Sequence, residues 1–143
     1  MDTKKLLMGT VVGGIAYFFL GWIIYGMALM STMAEYSNAA CMRAETDMVW
    51  WALILSCFAS AALITSIFLK AGNVSSFGSG AQLGAMISFL VSVSVDLGMY
   101  SMMTTFTDPT GIVIDVVAAT VIGAVVGGII AIVIGRGSSQ PAA

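Results

Sequence analysis

The chain has 143 residues, 59% of them hydrophobic and only 8% charged. Soluble globular chains carry about 25% charged residues, so this one lacks the charge to coat a surface in water. With no histidine, a net charge of −2 and five Lys and Arg in all, it excludes imidazole catalysis, His-ligated zinc or haem, and a basic surface for nucleic acid.

A bilayer's hydrocarbon core takes about 20 apolar residues of helix to cross. The first candidate runs from Leu6 to Met30 without a charge and is long enough to cross. It follows Lys4-Lys5 but is much longer than the ~7–15-residue apolar segment of a signal peptide, so an uncleaved anchor is expected. The segment from Ser31 to Asp47 is polar and acidic, carrying Glu35, Glu45 and Asp47 beside Arg43. Its first residues are expected to continue the helix above the membrane. Met48 to Leu69 gives a second uncharged span, with Trp50 and Trp51 at one end, where an interfacial belt would place them. Asn73 to Gly80 reads as a polar Gly/Ser-rich joint. Ala81 to Met103 is the third span, with a single charge, Asp96. After a turn at about 104–108, Asp108 and Pro109 read as the N-cap and first position of a helix. The fourth span, Gly111 to Gly135, also has one charge, Asp115.

Backbone groups in lipid must pair within their own segment, so these spans are helices. The expected fold is all-α: a single-domain integral membrane four-helix bundle over residues 1–143, with spans at about 6–30, 48–69, 81–103 and 111–135. Lys4, Lys5, Lys70 and Arg136 fall on one side and Arg43 on the other. The positive-inside rule then places both termini inside.

Helices associate in lipid through close backbone approach, so rows of small residues mark contacts. The first span carries Gly9, Gly13 and Gly21. The third carries Gly84, Ser88 and Ser92, with Gly80 one step before it. The fourth carries Ala119, Gly123, Gly127, Ala131 and Gly135. One more step of four reaches Asp96, then Tyr100, on the third span, and Asp115 on the fourth. In an antiparallel hairpin the two acids reach nearly the same depth.

A charge inside a bilayer costs at least about 2.5–3.5 kcal/mol on insertion scales, which makes an intramembrane acid a functional-site hypothesis by default. No Lys or Arg lies in any span to pair with these two. Three states are open: protonated acids bonded across helices to Tyr100, Tyr25, Ser92 or Ser56; a shared proton or bound cation; or acids facing water.

Met27, Met30, Met33, Met99, Met102 and Met103 gather at the outer ends of the first and third spans, with Met42, Met48 and Cys41 nearby. Soft sulfur ligands suit Cu(I), but Met is also an ordinary flexible apolar filler. No metal and no cofactor is expected. Cys41 and Cys57 differ in depth, so no disulfide between them is expected.

Gly21-Trp22 with Tyr25 in the first span, the short Gly-rich joint, and Val113-Ile114-Asp115-Val116-Val117 opening the last span resemble a bacterial family of small four-helix inner-membrane proteins known only as a domain of unknown function. The resemblance implies a compact bundle in the bacterial inner membrane and carries no activity with it. Small multidrug exporters, another four-span class, carry an acid in the first helix; this chain has none there.

Two functions compete. A structural or accessory protein would work through helix contacts with the bilayer around it, a second copy or another membrane protein. A small proton- or cation-linked transporter or channel would use Asp96 and Asp115. The sequence offers no broken helix to mark a transport site, which favours the accessory role. With no histidine and no nucleophile–base pair, no enzymatic activity is expected.

Overall fold

A computed structural model describes residues 2–135. Arg136, one of the four charges behind the inward placement of the termini, lies outside the described residues. The helices are α1 (Thr3–Ile23), α2 (Met30–Tyr36), α3 (Trp50–Ala71), α4 (Phe77–Met102) and α5 (Pro109–Gly135), with a π-helical turn at Ile24–Ala28 joining α1 towards α2. Among the described residues there is no strand, only an isolated antiparallel bridge between Ser37 and Phe106.

Local chemistry sets the ends. The Asp2 carboxylate accepts the N–H groups of Lys4 and Lys5 at 3.0 and 3.2 Å, so α1 begins ahead of its first apolar residue. Gly72 closes α3 with φ of 74°, a left-handed conformation that glycine adopts without a Cβ penalty. Ser76 and Ser79 cap α4 reciprocally: the Ser79 N–H donates to Ser76 Oγ at 3.3 Å, and the Ser76 N–H donates to Ser79 Oγ at 3.2 Å. The polar joint expected to run to Gly80 therefore ends at Ser76, and its second half is the first turn of α4. At the start of α5 the Thr110 N–H donates to the Asp108 carboxylate at 2.7 Å.

Four segments are long and apolar enough to cross a membrane: Thr3–Ala28, Trp50–Ala71, Phe77–Met102 and Pro109–Gly135. The protein is an all-α membrane protein with four such helices, and α2 is a short fifth that extends α1 beyond its π turn. The N-terminus, the α3–α4 joint and the end of α5 share one end of the bundle, where Asp2, Lys5, Gly72, Ser75 and Gly135 surround a cavity of about 220 Å³.

α5 is the central helix. Half of its most apolar window is buried, against 17–22% for the other three. It packs along its length on α4, and α1 lies against both α3 and α5. α3 and α4 barely touch. The α4–α5 seam is backbone on backbone: a Cβ on Gly84 would overlap the Gly123 carbonyl, and one on Gly80 would overlap the Gly127 carbonyl and Ala131. Ser88 fills the space over Gly123. On α1, Gly9 meets Thr65, and Gly13 meets Ala61 and Ile130. The core on this frame is Ala61, Ile64 and Phe68 of α3 with Ile122, Val126, Ile130 and Ile134 of α5.

At the other end, α2 and the segment after it fold over the α4–α5 turn. The Asn38 N–H donates to the Thr105 carbonyl, and the Thr107 N–H to the Tyr36 carbonyl, both at 2.9 Å. This contact seats Phe106, buried to 9% exposure, on Ile112 and Val116, with Met33 and Val93 beside them. A Cβ on Gly111 would meet both the Phe106 ring and Tyr36 at 2.9 Å, so the turn lies close under the loop.

Candidate functional site

Asp96 stands six residues before the end of α4, and Asp115 six residues after the start of α5. At 1.5 Å per residue both lie about 9 Å below the turn. The small-residue seam holds the two helices close enough for one side chain to reach both acids. Ser92 Oγ donates to Asp96 Oδ2 at 2.9 Å and lies 3.5 Å from Asp115 Oδ2. Asp96 is 6% exposed, and Asp115 is half-buried. The third member comes from α1 and its π turn: the Tyr25 hydroxyl donates to the Asp115 backbone carbonyl at 3.3 Å.

Tyr25 sits in the π turn, where the Leu29 N–H reaches back five residues to the Ile24 carbonyl at 2.7 Å. Single π turns inside α-helices are rare and concentrate at functional sites. The first span stays one continuous helix from Thr3 to Ala28, with the π turn as a local widening inside it. Its only local sign was Gly26, a poor helix former inside an otherwise strong apolar run.

Three expected placements differ. Tyr100 is 41% exposed and, among the described residues, makes no side-chain hydrogen bond to either acid. A step of four residues turns about 40° past a full helical turn, and that drift carries Tyr100 away from the row that ends at Asp96. Ser56 is satisfied within its own helix, donating to the Leu53 carbonyl at 2.8 Å. Gly21 was expected at a helix contact, yet a Cβ added there would meet nothing within 4 Å. Gly21 instead lines a cavity.

That cavity, about 370 Å³, is enclosed by α1, α3 and α4 with α5 as its floor. It exists because α3 and α4 do not close on one another. Most of the lining is apolar. The polar part consists of Tyr17, Ser56, Ser60, Ser88, Ser92 and Asp96 with the Tyr25 ring. Tyr17 and Ser88 hydroxyls are 3.1 Å apart and satisfy each other across α1 and α4. The sequence reading did not single out Tyr17, Ser60 or Cys57 for this site; their only signal was polarity inside apolar runs.

Ser92 has one hydroxyl hydrogen and two carboxyl oxygens in front of it. That hydrogen can go to only one of the two acids at a time. The arrangement brings both carboxyls to one hydroxyl, with Asp96 in the cavity wall. Phe106, Ile112 and Val116 form a separate buried cluster beside α2, and none of them lines the cavity.

Among the described residues no three His, Cys, Asp or Glu come together. Met27, Met30, Met102 and Met103 are all more than half exposed at the α2 end of the bundle. Cys41 and Cys57 are both free thiols, one exposed and one half-buried.

No family model, curated protein or solved structure matches the chain. The class of protein therefore rests on the molecule itself: a four-span membrane protein with a carboxylate in the wall of a cavity between its helices.

Proposed function

We propose that the chain is a small carrier of the bacterial inner membrane, with both termini inside, that binds and releases a proton or a cation at the Asp96–Asp115 pair. One observation carries this reading: Asp96 is buried at the wall of an open cavity and shares Ser92 with Asp115, while no basic side chain lies within the uncharged runs 6–30 and 48–69 or within 81–103 and 111–135 to neutralise either acid. Two nearby acids joined through a hydroxyl form a group whose protonation responds to what occupies the cavity. The π turn beside Asp115 is a second support, since single π turns inside helices are frequent at functional sites.

The test is a pH-jump experiment on proteoliposomes with an internal pH dye. Wild-type protein should speed relaxation of the imposed gradient in the presence of a cation on the opposite side. Asp96→Asn should abolish that acceleration and keep the elution volume and helical spectrum of the wild type. Equal relaxation by wild type and Asp96→Asn would refute the proposal.

A structural or accessory role is the second reading, favoured by the open seam between α3 and α4. A helix of another membrane protein, or of a second copy, would close it. Native mass spectrometry in mild detergent separates the two: a defined hetero-complex supports the accessory role, and a homogeneous particle of this chain alone supports the carrier.

A further inference from the structure

We infer that the ligand of this cavity is a lipophilic monocation that enters sideways from the bilayer, through the gap between α3 and α4. The inference rests on the carrier reading and names its substrate class. The route follows from where the cavity is open. Leu53 and Leu63 on α3 face Val91 and Val95 on α4; all four line the cavity and are 41–51% exposed. The α4 lip is apolar, while the α3 lip alternates Leu53 and Leu63 with the exposed Ser56 and Ser60, so the opening is mostly apolar and would meet acyl chains. A polar solute crossing it would lose its hydration without compensation, whereas an amphiphilic solute is already concentrated in the membrane.

The size and lining specify the rest. A volume of about 370 Å³ falls within the ~300–1,000 Å³ of small-molecule pockets. The walls are chiefly aliphatic; Tyr17, Ser88, Ser92 and Asp96 gather on the α1–α4 side, and Ser56 and Ser60 stand on α3. An occupant therefore presents mostly apolar surface and one polar centre. Asp96 is the one carboxyl in the cavity lining, so the site suits an occupant with one positive charge.

Gly21 supports the same occupant. Gly9, Gly13 and Gly14 on the same helix each lack a Cβ because a neighbouring side chain takes its place; Gly21 has nothing within 4 Å and opens onto the cavity. Its missing side chain adds volume to the cavity and makes no helix contact.

The experiment uses the full chain in lipid nanodiscs, with tetraphenylphosphonium as probe. Tetraphenylborate, with the same four phenyl rings and the opposite charge, is the control. Wild type should bind the cation saturably and show no saturable binding of the anion. Asp96→Asn should weaken cation binding at least about tenfold. Gly21→Phe, which fills the cavity without touching the acids, should do the same while helix content and particle size stay unchanged. Saturable cation binding that survives Gly21→Phe would place the ligand elsewhere and overturn the inference.

Infrared spectroscopy of the carboxyl C=O stretch, without the probe, separates this failure from that of the carrier reading. A wild-type band that titrates and disappears in Asp96→Asn, together with no phosphonium binding, removes the lipophilic cation and leaves the proton site standing. No titrating band and no phosphonium binding removes both.

Discussion

Gly84→Ala should destabilise the bundle even though alanine is the better helix former. A Cβ on Gly84 overlaps the carbonyl oxygen of Gly123 and stands 2.9 Å from Gly127 Cα. Both neighbours are backbone, so no rotamer change relieves the clash and the helices must part. Ordinary contact begins at 3.4 Å, which requires an opening of at least about 0.5 Å, enough to forfeit a quarter of each van der Waals contact along the seam. Overpacking of this kind costs about 1–3 kcal/mol, and the overlap with a fixed carbonyl puts Gly84 at the upper end. Helix propensity returns about 1 kcal/mol, leaving a net loss of about 2 kcal/mol. Gly98 on the same helix has nothing within 4 Å of an added Cβ, so Gly98→Ala should be neutral or stabilise by up to about 1 kcal/mol. The assay is reversible unfolding in mixed micelles with increasing SDS, followed by helical circular dichroism. If Gly84→Ala proves as stable as Gly98→Ala, the backbone-on-backbone account of the α4–α5 seam is wrong.

Asp108 should give the outer end an acid-sensitive cap. Hydrogen bonds from Thr110, its side chain first and its backbone N–H second, hold the Asp108 carboxyl below its ordinary value of 3.8. Because the folded value is the lower one, this stabilisation is complete above about pH 4 and fades as pH falls through the folded value. Asp108→Asn should flatten that part of the pH dependence relative to wild type, measured by thermal unfolding in detergent between about pH 5 and pH 3. Cys41 is exposed on the outer loop, whereas Cys57 lies half-buried within α3. A membrane-impermeant maleimide added to intact spheroplasts should label wild type and Cys57→Ser but not Cys41→Ser; labelling of Cys41 only after lysis would reverse the proposed orientation.

Much of the frame was legible in the sequence, for a physical reason. Hydrocarbon imposes length and polarity on each segment separately, so Leu6–Met30, Met48–Leu69, Ala81–Met103 and Gly111–Gly135 could be delimited without knowing their neighbours. The Asp108-Pro109 helix start was similarly local. The capping box at Ser76 and Ser79 was equally local but was read as loop, because a Gly/Ser-rich string suits both. The small residues at steps of four marked one face of α4 and one of α5. The equal distances of Asp96 and Asp115 from their turn followed from counting alone.

The tertiary structure decided which of those features touch. Gly21 and Gly84 are the same residue type in similar apolar settings; one opens a cavity and the other carries a backbone contact, because α4 meets α5 closely while α3 stands away from α4. Tyr25 and Tyr100 were equal candidates to reach the acids. The π turn directs one to Asp115, and the drift of about 40° per step along α4 takes the other towards lipid. Ser92 became the link between the acids only when two helices fixed their carboxyls on either side of its hydroxyl. The sequence by itself determined the solvent, the number and length of the spans and the presence of two costly acids, since each depends on a residue and its near neighbours. Which helices close and which stay apart, and therefore where a cavity meets a carboxylate, depends on packing between segments far apart in the chain, and only the folded bundle decides it.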